Sequence, residues 1–190
     1  MPTNSLIIGI TGTIGAGKGE AVNYLTHHCG FKHYSVRDYL TRELERRGVP
    51  IDRPAFFALS NELRNEHGGE HIVKELFAEA EAAGGDAIIE SIRARGEVLF
   101  LKDLPNFLLL GVDAPASIRY QRILKRGSAT DHVTFEEFLI QERNEMASEN
   151  PNKQNLQYCL QASHVIVENL GSLPEFYEKI DAAVHRFRDI

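Results

Sequence analysis

Lys18 closes a glycine-rich run, Gly12-Thr13-Ile14-Gly15-Ala16-Gly17-Lys18-Gly19, whose residue types suit the holding of a polyphosphate. Glycines let successive backbone N–H groups turn inward on an anion, at φ values that a side chain disfavours. A helix that begins there adds the positive end of its dipole, and the lysine brings a mobile charge to the outer phosphates. The context this requires is strand, loop, helix. Leu6-Ile7-Ile8-Gly9-Ile10 reads as a buried strand, and Glu20-Ala21-Val22-Asn23-Tyr24-Leu25 as the start of a helix. The plain alternative is a strand-to-helix turn with a chance lysine, and the flanking pattern disfavours it.

Other residues with chemical potential follow later apolar runs. Asp38 and Arg42 come after Tyr34-Ser35, and Glu90 is followed by Arg93 and Arg95. A carboxylate can organise metal-bound water, and a guanidinium can clamp phosphoryl oxygens with paired donors. Arg64 lies inside Ala58-Leu59-Ser60-Asn61-Glu62-Leu63-Arg64, where it either reaches a substrate or stays solvated. Arg119, Arg122 and Arg126 share one helical face, as a cation cluster or as an exposed charged stripe. Arg143, in Gln141-Glu142-Arg143-Asn144-Glu145, could close over a transferred phosphoryl group and shield it from water. Asp38 also reads simply as an acid in the first turn of a helix.

These residues need a scaffold, and the apolar runs supply it. Leu6–Thr11, Phe31–Val36, Ala87–Ser91, Phe107–Asp113 and Val165–Glu168 are short and continuous, as in a parallel sheet covered on both faces. Their alternation with helical stretches predicts βαβ units in an α/β fold. Helical patterns over Arg37–Arg47, Pro54–Glu66 and His71–Ala83 fill a long insertion, residues 37–85, between the second and third strands. Residues 127–155 form a second, polar insertion, and a last helix covers Leu173–Phe187. Ligands in such sheets bind beyond the carboxyl ends of the strands, where the residues above fall.

The loop GTIGAGKG resembles that of adenylate kinases and related nucleoside monophosphate kinases, in which the lysine is also followed by Gly. Those kinases place Thr next; here Glu20 stands there, and Gly19 lacks the hydroxyl that usually ligates magnesium. Glu20 either helps hold the metal or is an acid favoured by the helix dipole. The segment from Ser35 to Arg42 resembles S-T-G-D-x-L-R of the same kinases. The resemblance implies that Asp38 lies near the metal waters and that Arg42, one residue later than the family's arginine, grips the acceptor phosphate. Ile88-Ile89-Glu90-Ser91-Ile92-Arg93-Ala94-Arg95, an acid at a strand's end followed by arginine, resembles the D-G-x-P-R of nucleotide kinases, with Glu90 in place of Asp. His164-Val165-Ile166-Val167-Glu168-Asn169-Leu170-Gly171-Ser172-Leu173 resembles the ending of dephospho-CoA kinases, which implies that Asn169 and Gly171 neighbour the ATP adenine. In order along the chain, these segments are most similar to an archaeal family of small P-loop proteins related to both kinase groups.

The resemblance implies a P-loop fold with strand order 2-3-1-4-5, a helical substrate-binding insertion and a short lid. It implies ATP and Mg²⁺ as donor and metal, with Asp38 and Glu90 as candidate metal-water ligands. Lys18 and the loop from Gly12 to Glu20 would hold ATP. Arg93, with Arg42 or Arg64, would hold the acceptor, and Arg122, Arg126 and Arg143 would stabilise the transferring charge. The expected acceptor is a (deoxy)nucleoside monophosphate. Dephospho-CoA is the alternative, although no G-x-D-x-D segment follows the second strand. A non-catalytic ATP-binding regulator and an ATPase without acceptor are readings from other classes.

Composition bounds these readings. One domain is expected from 190 residues. A net charge of −6 argues against nucleic-acid binding as the main role. Cys29 and Cys159 are far apart, so a reduced cytoplasmic setting is expected, and no segment is apolar enough to span a membrane. His27, His28 and His33 read as solvated or capping groups. Oligomeric state is not legible.

Overall fold

The computed structural model describes residues 5–127, 133–147 and 154–188. Five parallel strands form one sheet in the order β2-β3-β1-β4-β5, as expected. They are β1 (Ile7–Gly12), β2 (Lys32–Tyr34), β3 (Ala87–Glu90), β4 (Phe107–Asp113) and β5 (Val165–Glu168). Helices α1 (Lys18–His27) and α9 (Leu173–Arg188) pack on one face. Helices α2 (Val36–Arg47), α3 (Arg53–His67) and α4 (His71–Ala83) lie between β2 and β3 in the chain. Helices α5 (Arg95–Leu101), α6 (Ala116–Arg126), α7 (Phe135–Met146) and α8 (Leu156–Gln161) complete the described set. Residues 128–132 and 148–153 of the polar insertion fall outside the described residues.

The continuous apolar strands make sense once both faces are covered, because neighbouring residues point to opposite sides. Ile8, Ile10, Ile88, Leu108 and Leu110 meet Val22, Leu25, Phe176 and Ile180 of α1 and α9. Ile7, Ile89, Phe107 and Leu109 meet Leu76, Phe77, Val98 and Leu101 of α4 and α5. Gly9 is small for a packing reason: a Cβ there would lie 2.3 Å from the Phe107 ring. Cys159 is buried in the second layer, where desolvation pushes its thiol up to about 12, while Cys29 is exposed.

Boundaries depart from the sequence reading where side chains intervene. β2 is shorter than Phe31–Val36 because Ser35 ends it. The Ser35 hydroxyl accepts from the amides of Arg37 and Asp38, at 3.1 and 3.3 Å, and starts α2. α5 and α8 were not expected, being too short to show a helical period. The Asn155 side chain accepts from Tyr158 N at 3.0 Å and caps α8. Among the described residues no helix is long and apolar enough to cross a membrane.

Beyond β3 the chain turns sharply at Ser91, whose φ is 68°, the one positive value at a non-glycine among the described residues. Ile92 N then donates to Ile10 O at 3.1 Å, which returns the chain across the end of β1. Glycine occupies this place in the D-G-x-P-R pattern that the segment resembles, and here a serine bears the left-handed geometry. A β-branched residue fits it worst. Ser91→Val is expected to cost about 1–2 kcal/mol, read as a lower urea midpoint at unchanged m-value, while Ser91→Gly stays within about 1 kcal/mol of the parent.

Candidate functional site

The loop between β1 and α1 is held from outside by its carbonyls. Arg119 Nη1 donates to Ile14 O at 3.2 Å. Asn169 Nδ2 and Arg122 Nη1 both donate to Ala16 O, at 2.9 and 3.3 Å. In a trans peptide the C=O and the following N–H point in opposite directions. Anchoring these two oxygens therefore turns the amides of Gly15 and Gly17 the other way, toward the concave side of the loop. The first amides of α1 have no intrahelical acceptor and add to that set. Gly17 has φ 108°, and a Cβ on it would come within 2.4 Å of Asn169 Nδ2. The Thr13 hydroxyl donates to Asp113 Oδ1 at 2.7 Å, tying the loop to the end of β4.

Lys18 Nζ folds over the loop and donates to Gly12 O and Thr13 O, at 2.7 and 2.8 Å. Burial, reinforced by the charge of Arg93, brings its ammonium down to about 8. Above the loop opens a cleft of about 460 Å³. Its walls are the loop with Lys18, Gly19 and Glu20, then Arg93 after β3, Arg122, Ile123 and Arg126 of α6, Glu145 of α7 and Leu156 of α8. Four cations from three separate stretches of chain thus meet around one loop.

Of the residues singled out in the sequence, Lys18, Glu20, Arg93, Arg122 and Arg126 line this cleft. Glu20 Oε1 also accepts from the Tyr177 hydroxyl of α9, which fixes the acid at the cleft edge. Asn169, 4% exposed, lies against the loop as its brace, and Arg122 Nη2 donates to Asn169 O at 2.9 Å. Gly171 sits in the exposed turn before α9. Arg42 is drawn to Glu79 of α4, with Nη2 2.8 Å from Oε1, and does not line the cleft. Arg143 is exposed, its Nε 3.3 Å from Leu139 O. Asp38 is exposed in the first turn of α2. Glu90 Oε2 lies 3.4 Å from His33 Nε2. That contact lowers the Glu90 carboxyl and raises His33.

Two carboxylates escaped the sequence reading. Glu97, 3% exposed, accepts from the amides of Arg93 and Ala94 at 2.7 and 2.9 Å. With Asn155 N donating to Arg93 O at 2.8 Å, the backbone that carries Arg93 is fixed on both sides. Glu97 Oε1 also stands 4.0 Å from Arg64 Nη2, and the Arg64 Nε is buried without a hydrogen-bond partner. Burial pushes the Glu97 carboxyl up. The signal available was an acid four residues after Arg93, concealed because Ala94 is not a capping residue. Glu145 is the other, three residues beyond Glu142 and so on the same helical face.

No group of three or more His, Cys, Asp or Glu able to hold a metal ion occurs among the described residues. His67 and His71, spaced as H-x-x-x-H, bring their rings to 4.5 Å between centroids but recruit no third ligand.

Comparison with known proteins agrees with this architecture. A family profile described as "AAA domain" matches residues 8–147. A UPF0200 protein of Methanoculleus marisnigri is 30% identical over 95% of this chain and 96% of its own. Among solved structures, TT1252 from Thermus thermophilus has a TM-score of 0.62 at 23% identity, covering 96% of this chain and 97% of that one. Shikimate kinase from Acinetobacter baumannii has a TM-score of 0.57 at 18% identity, covering 97% and 95%. These two likenesses concern the fold, which is that of P-loop kinases. The chain belongs to the UPF0200 family of P-loop proteins.

Proposed function

We propose that this protein is an ATP-dependent phosphotransferase that moves the γ-phosphoryl group to a small nucleotide acceptor, first among them a (deoxy)nucleoside monophosphate. The observation that carries this reading is the convergence of Arg93, Arg122 and Arg126 with Lys18 over one amide-lined loop. A protein that only binds a nucleotide has no need to gather guanidiniums around its outer phosphates. Phosphoryl transfer does, because positioning and charge stabilisation supply most of its catalysis.

In this reading the loop amides and Lys18 hold the donor phosphates. Arg93, on a backbone locked by Glu97, takes the acceptor's anionic group with paired donors. Arg64 lies on the far side of Glu97 and joins it. Arg122 and Arg126 face the charge in flight. Residues 37–85 serve as the acceptor-binding insertion and 127–155 as the lid, from which the exposed Arg143 side chain turns inward over the transferring group while α7 keeps its docking. Mg²⁺ would arrive with the triphosphate and offset its charge, its waters ordered by Asp38 and Glu90. The setting is cytoplasmic.

A hydroxyl acceptor is the second reading. Shikimate kinase, by its name, phosphorylates a non-nucleotide, and it shares this fold. The turn at Asn169–Gly171, similar to that of dephospho-CoA kinases, favours that substrate within this reading.

Release of ADP from ATP·Mg²⁺, alone and then with each nucleoside monophosphate, dephospho-CoA or shikimate, tests these readings. Turnover is expected with a monophosphate. Turnover without acceptor indicates an ATPase, and binding without turnover a regulator. Lys18→Ala should lower turnover by about 10²-fold or more with an unchanged thermal transition. Arg93→Ala should raise the acceptor KM and leave ATP affinity alone; the opposite pattern reverses the two subsites. Since burial brings the Lys18 ammonium down to about 8 and a bound anion favours the ammonium, ATP affinity should hold below that pH. Above it, affinity should fall by up to about tenfold per unit. Titration calorimetry should show proton uptake in that window, absent from Lys18→Met.

A further inference from the structure

Two carboxylates stand among the cations of the cleft. Glu20 has one oxygen occupied by the Tyr177 hydroxyl. Glu145 also lines the cleft, from helix α7, which is docked by neighbouring contacts. Glu142, one turn earlier, pairs with Arg119. The Tyr120 ring packs against Phe135 and Phe138, with centroids 5.2 and 5.7 Å apart. The Tyr120 hydroxyl donates to Val133 O at 2.9 Å. Because residues three apart share a helical face, the anchor at Glu142 keeps Glu145 on the side of α7 that borders the cleft with Lys18. Its charge is felt there, opposing burial and Arg93 in their effect on the ammonium.

A fixed negative charge above a phosphate loop works against any bare anion. It does not work against a phosphate chain whose charge is already offset by a divalent cation. No described cluster of acids or histidines could hold such a cation before the nucleotide arrives. The loop also lacks a hydroxyl at Gly19 with which to recruit one. In the nucleotide reading the cation comes bound to the triphosphate. We propose that Glu145 makes this cleft select a metal-complexed triphosphate over bare phosphate anions. The inference rests on the nucleotide reading above and assigns a discriminating role within it. Inorganic phosphate, pyrophosphate and free ATP meet the carboxylate unshielded, whereas ATP·Mg²⁺ presents it with a counter-charge.

Titration calorimetry on the full chain, with pyrophosphate, ATP in EDTA and ATP with excess Mg²⁺, provides the test. In Glu145→Gln, binding of pyrophosphate and metal-free ATP should tighten by five- to tenfold, with ATP·Mg²⁺ within twofold of the parent. Glu136→Gln alters net charge equally at an exposed site in the first turn of α7 and should change none of the three. Equal tightening of all ligands, no change in metal-free binding, or weaker ATP·Mg²⁺ binding alone would overturn the role given to Glu145. A parent protein that takes up no triphosphate in either form would overturn the nucleotide reading itself.

Discussion

The guanidinium of Arg119 is the charge on which the site depends. It is 5% exposed, donates through Nε to Ala114 O at 2.6 Å, pairs with Glu142 and lies over the Phe138 ring at 5.4 Å. Its remaining nitrogen holds Ile14 O in the phosphate loop, and Asp113 stands 3.8 Å from its Nε. A buried cation is costly unless its donors are met and its charge offset, and here both conditions hold. One side chain consequently links β4, the loop, α6 and α7. Loss of Glu142 would leave that cation short of a counter-charge, and loss of Arg119 would take the guanidinium from both Glu142 and Asp113. The geometry of the loop and the placement of α7 are for this reason a single problem.

The same network explains how a glycine-rich loop becomes an anion receptor. Glycine only permits the required dihedrals; it does not select them. Selection comes from Arg119, Arg122 and Asn169 holding the carbonyls outward, which turns the intervening amides inward. The closeness of Asn169 to Gly17 shows how little space the brace leaves. Donors fixed in advance need no rearrangement when charge develops, which is the physical basis of their value in phosphoryl transfer.

Much of this was legible from residue order alone. The apolar runs, the loop between the first strand and helix, and the strand order followed from local patterns and resemblance. The arginines of α6 show where legibility stops. Their spacing places Arg119, Arg122 and Arg126 on one face, yet the structure divides them between a buried brace, a brace that also borders the cleft, and a cleft wall. Periodicity reports a shared face and not its depth. Glu97 was hidden for a related reason: its partners are backbone amides, which leave no mark in a sequence. Arg42 had a motif-like position, but Glu79, thirty-seven residues away, competes for it. Pairings between distant helices depend on packing angles that no local window contains.

The two thiols offer a chemical clock on the fold. Cys29 is open to solvent, while Cys159 sits beneath β1 with its sulfur held in the unreactive protonated form. An alkylating reagent meets the first at once and the second only when the layer formed by α5 and α8 lifts from the sheet. The slower of two labelling rates would thus measure the breathing of the layer that supports Arg93.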